Sequence, residues 1–221
     1  MARESTIDVR GLWLVAPHLA SSHIDSLTNL LVIGFRVGRS DLDLSQILVR
    51  LPVMLQSALS ALVARLLESM TAWLPHIQDQ VLVACASYVG IEWHERVVAA
   101  LPRFVQPHMS GGIGQFAAAA SERLLMSAFT SLAAANGTLA PTEGQAVALA
   151  VVGTELLRRK PATQPDLWPT VLTILRRSAQ NVHELHKLLR HLAPLLRAAV
   201  GGDMIDQTVE TLLEQCDWWE K

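Results

Sequence analysis

Apolar residues recur at every third or fourth position along most of this chain, which is the period of a helix. Leu51, Leu55, Leu59, Leu62, Leu66, Met70 and Trp73 follow steps of four, four, three, four, four and three, marking one buried face. The opposite face carries only Arg65 and Glu68 as charges, so residues 51–73 read as the central helix with neighbours on more than one side. Residues 76–101 read as one or two further helices interrupted at Gly90. Thr142 and Gln145 form a capping-box pair after Pro141, opening a helix that runs to about Lys160 and is closed by Pro161. The tract PATQPDLWP reads as a proline-rich connector. Residues 170–200 then read as one long helix kinked at Pro194, ended by Gly201 and Gly202, with Asp203 capping a last helix to Trp218 and Trp219.

The first forty residues break this pattern. IDVRGLWLVAP and NLLVIGFRVGR are rich in Val, Ile and Leu and punctuated by glycine, and they fit a short β-hairpin as well as irregular helices. The expectation is a mainly α chain: one domain over residues 1–221, an irregular bundle of seven or eight helices, with segment 1–45 open between strand and helix.

Composition adds one tension. With 51% hydrophobic and only 17% charged residues the chain is apolar, yet it has no run of the roughly 18 apolar residues that a membrane span needs. The excess predicts wide helix burial and association with a second copy or a stable partner. The formal charge of −2 gives the whole molecule no attraction to nucleic acid or anionic membrane. Cys85 and Cys216 sit among apolar helical residues, which suggests reduced thiols rather than a disulfide framework. MARESTIDVRG lacks the apolar core of a signal peptide, and the expected location is cytoplasmic.

Candidate chemistry is sparse. MSGGIGQFAAAASERLL places Gly112, Gly114 and Ala117 in a Gly-x-Gly-x-x-Ala spacing, but a phosphate cradle needs a strand before it and a carboxylate about 20 residues later. Neither is present. Residues 110–112 therefore read as a turn, and Gly114 as the start of an alanine-rich helix ended by Asn136 and Gly137. His94-Glu95 and His183-Glu184 each lack the second histidine of the zinc-protease pattern, so no metal or other cofactor is expected. No nucleophile elbow, phosphate loop or paired Cys-x-x-Cys occurs, and the enzyme question leans to no.

Charge placement near the C-terminus is more informative. At about 100° per residue, Arg176, His183, His186, Lys187, Arg190 and Arg197 gather on one helix face, opposite Leu185, Leu188, Leu189, Leu192 and Leu196. Residues 158–200 hold eight Lys or Arg against Asp166 and Glu184. Asp203, Asp206, Glu210, Glu214 and Asp217 then form an acidic stripe on the last helix, which is expected to fold back as an αα-hairpin.

The leading expectation is a non-enzymatic interaction factor: an adaptor, chaperone or inhibitor regulating a larger cytoplasmic or membrane-associated assembly. The basic stripe would meet a protein with an acidic surface, with Trp218 and Trp219 as further anchors. One alternative is a nucleic-acid-binding regulator using the basic helix. Another is a helical enzyme or small-ligand binder with an apolar pocket, in which His76, His94 and His108 would be tested first.

Overall fold

The structure, a computed structural model, describes residues 18–36, 44–50, 56–69, 75–179 and 181–199, together with 206–208, 210, 212 and 214. Every regular element among them is helical, and the chain is mainly α. It divides into two compact units, Met1–Ala100 and Leu101–Lys221.

The first unit contains α1 (Ile24–Arg36), α2 (Leu44–Arg50), α3 (Gln56–Ser69) and α4 (Pro75–Tyr88). In α1, Ile24, Leu27, Leu31 and Phe35 fall at steps of three, four and four, and all are buried. A strand would put Asn29 and Ile33 on the same face as Leu27, Leu31 and Phe35, yet both are exposed while the other three are buried. The hairpin alternative is therefore corrected to helix over Ile24–Arg36, while residues 7–17 lie outside the described residues. In α3, Leu59, Leu62 and Leu66 are buried together with Val63, Ala64 and Leu67, and the helix packs against both α1 and α4. Leu51, Leu55, Met70 and Trp73 lie outside the described residues. The chain breaks at Gly90 before α5 (His94–Phe104), and Ser60 fastens that break: its hydroxyl donates to the Tyr88 carbonyl at 2.9 Å and accepts from the Gly90 N–H at 2.9 Å.

The second unit contains α6 (Ser110–Ala119), α7 (Glu122–Ala134), α8 (Glu143–Arg159), α9 (Gln164–Ser178) and α10 (Val182–Ala198). This unit has its own central helix, because α8 packs against α6, α7 and α10. The capping box forms at its start, where Thr142 Oγ1 accepts from the Gln145 N–H at 3.3 Å and Gln145 Oε1 accepts from the Thr142 N–H at 2.8 Å. Gln145 is buried and also receives Asn136 Nδ2 at 2.8 Å while donating to the Pro102 carbonyl at 3.1 Å. One side chain thereby joins three segments. Beside it, a Cβ on Gly144 would stand 2.1 Å from the Val105 carbonyl oxygen, so only glycine lets that backbone approach.

Four expectations about element boundaries are corrected by the structure. Ser110, Gly111 and Gly112 form the first turn of α6 rather than a loop; Pro107–Met109 leads in as a 3-10 turn, and first-turn N–H groups need no intrahelical acceptor. The alanine-rich run is two helices, because the Ser121 hydroxyl accepts from the Leu124 N–H at 3.2 Å and starts α7 afresh. It does end at Asn136 and Gly137, the latter at φ 58°. The proline-rich connector is itself helical, since Pro165 occupies the first turn of α9, and residues 170–200 are not continuous. Asn181 Oδ1 accepts from the N–H groups of His183 at 2.9 Å and Glu184 at 3.3 Å, opening α10. These splits give the described residues more helices than the seven or eight expected.

Candidate partner-docking face

Once capped by Asn181, α10 turns Leu185, Leu188, Leu192 and Leu195 into the core. Leu195 takes the buried place expected of Leu196, which with Leu189 is half-buried. On the opposite side His183, His186, Lys187, Arg190 and Arg197 are all exposed. Lys187 reaches Glu184 at 3.4 Å, an exposed pair of little energetic weight. Arg190 and Arg197 have no acidic partner among the described residues. Arg176 is also exposed but belongs to α9, and helical phase does not carry through the break before Asn181. It borders a different hollow of about 400 Å³, with Trp168 and Gln207. The structure thus joins five of the six basic-stripe residues and sets Arg176 apart. Trp218 and Trp219 lie outside the described residues.

Several other basic residues serve the fold. Arg159 donates to the carbonyls of Ala117, Ala118 and Ala120 at 2.6–2.7 Å, covering the C-terminal end of α6, while Arg177 donates to the Ala133 carbonyl at 3.0 Å at the end of α7. Glu155 fixes Arg159 at 2.6 Å and Arg158 at 2.7 Å. Hydrogen bonding from Arg158, opposed in part by burial and reinforced by Arg159, holds the Glu155 carboxyl down at about 2. Local charge counting therefore overstated the free basic surface.

The basic face borders a groove of about 590 Å³ between α6, α8 and α10. Arg190, His191 and Pro194 form its α10 side; Gly114 and Ala117 come from α6, and Val147, Ala150, Val151, Thr154 and Glu155 from α8. His191 Nε2 lies 3.1 Å from Glu143 Oε1. The Thr154 hydroxyl is buried and makes no hydrogen bond among the described residues. Sequence reasoning missed this groove. Its signal was present in the small residues Gly114 and Ala117, one helical turn apart within the pattern rejected as a phosphate cradle.

Asp206, Glu210 and Glu214 are helical and exposed, and Thr208 is buried, so the middle of the acidic stripe faces outward; Asp203 and Asp217 lie outside the described residues. His76 and His108 are exposed and His94 is half-buried. Among the described residues no three His, Cys, Asp or Glu side chains gather as a metal site, and no helix is long and apolar enough to cross a membrane. Cys85 is buried, and burial pushes its thiol up. Comparison with protein-family models, curated proteins and solved structures yields no match.

Proposed function

We propose that this protein is a non-enzymatic interaction factor that docks an acidic surface of another protein against α10. The observation that carries this reading is the exposure of one cationic face, His183, His186, Lys187, Arg190 and Arg197, on a helix that turns Leu185, Leu188, Leu192 and Leu195 into the core. Desolvating such a face against carboxylates yields charge-assisted hydrogen bonds and electrostatically guided association. A duplex nucleic acid fits less well, because the chain is net acidic and Asp206, Glu210 and Glu214 are exposed in the same unit.

The test reverses Lys187, Arg190 and Arg197 to Glu together. These exposed side chains contribute about 0–1 kcal/mol each, so the helical spectrum and melting curve should change little. Binding to a fluorescein-labelled Glu-rich peptide should fall by about tenfold or more, mainly through slower association and most strongly at low salt. Unchanged peptide binding would sink the reading. Tight, steeply salt-dependent binding of a DNA duplex that the triple variant loses would replace it with the nucleic-acid alternative.

A further inference from the structure

We infer that the groove between α6, α8 and α10 receives an amphipathic acidic helix of the partner, an inference that rests on the docking reading above. The basic stripe borders the groove through Arg190. At 100° per residue, Arg190 and Pro194 lie about 40° apart on α10, with Lys187 and His183 at neighbouring angles, and both Arg190 and Pro194 line the groove. A segment lying there meets apolar walls and cationic groups at once.

The dimensions suit a helix. Along α8 the lining runs from Val147 to Glu155, roughly 12 Å or two turns at 1.5 Å per residue, the span of anchors spaced i, i+3/i+4 and i+7. Gly114 deepens the trough, since a Cβ there would meet no atom within 4 Å. The charges also select an acidic occupant. Glu155 is neutralised by Arg158 and Arg159, and Glu143 is engaged by His191, whereas Arg190 is unpaired among the described residues. The partner's leucine-type side chains rest against Gly114, Val147 and Val151, and its flanking carboxylates meet Arg190 and the residues along α10.

Two labelled peptides of about 16 residues and identical Leu, Glu and Ala composition separate this inference from simple charge attraction, one with leucines at helical spacing and one with the order scrambled. The wild-type chain should bind the amphipathic peptide about tenfold or more tightly than the scrambled one. Gly114→Leu, which fills open space, should abolish that preference while leaving weak binding of the scrambled peptide unchanged; Val147→Gln, at a half-buried position, should reduce it. Arg190→Glu should weaken both peptides. Equal binding of the two peptides by wild type, or an unaltered preference in a folded Gly114→Leu chain, would overturn the groove inference and leave the docking reading standing. Loss of binding to neither peptide on charge reversal would overturn both. Saturable dodecanoate binding that Gly114→Leu removes, without discrimination between the peptides, would assign the groove to a small amphiphile instead.

Discussion

In the first unit α3 sits among α1 and α4 through Leu62, Val63, Leu66 and their neighbours, and its charged ties are exposed pairs: Arg65 with Asp25, and Arg96 with Glu68 at 2.6 Å. In the second unit α8 also packs through leucine and valine, but its ends are held by directed bonds. Gln145 and Thr142 fasten the start, Arg159 ties the end to α6, and two glycines admit neighbours at close range. Apolar burial turns one face of a helix inward but specifies its exact placement only loosely. The directed bonds at the ends of α8 narrow that placement, and the groove that α8 lines depends on it.

The sharpest way to break this contrast is Gly144→Ala. The new methyl meets the Val105 backbone, which cannot rotate away as a side chain would, so a loss of about 4 kcal/mol or more is expected. Hydrogen exchange should show protection lost across Leu101–Lys221, with α3 and α4 much less affected. Uniform loss across both units would abolish the distinction drawn above.

A smaller effect is expected of Glu155→Gln. The native carboxyl is held at about 2, below its ordinary value near 4.5, so its stabilisation is fully present above pH 4.5 and lost as pH falls through about 2. Because Arg158 is largely exposed, about 1–2 kcal/mol is a fair expectation at pH 7. Denaturant titrations should show the wild-type advantage shrinking below pH 4.5 and vanishing near pH 2; a pH-independent difference would refute the assignment.

In the first unit Ser60→Ala should cost about 1 kcal/mol, by removing the acceptor for Gly90 and the donor to Tyr88. Its effect on exchange should concentrate at the α4–α5 junction. The smallest effect has the opposite sign: Gly114→Ala should stabilise the second unit by about 0.5–1 kcal/mol, because the methyl enters open space and glycine is a poor helix former. A destabilised Gly114→Ala chain would show that the trough is already filled.

What could be read from the sequence followed the strength of the local signals. The Thr142 and Gln145 box, the Gly137 stop and the Gly90 break are short-range chemistry and were legible, as was the exposure of the α10 cations. The boundary at Asn181 was missed because the apolar period continues on both sides of it, and only the side-chain cap marks the restart. Arg158, Arg159 and Arg177 resemble the free cations in sequence, because their acceptors, Glu155 apart, lie about forty residues away along the chain. The groove needed three helices to be brought together, which periodicity within any one helix does not disclose.

Cys85 turns the inaccessibility of the first unit into a clock. Its thiol is wholly buried and its pKa is raised, so alkylation requires both access to reagent and formation of the thiolate. Labelling at that sulfur, followed peptide by peptide, therefore times the opening of the α3–α4 core in the intact chain. The reporter is already built into the first unit, and its tick should stay constant while substitutions in α8 change the unit it does not belong to.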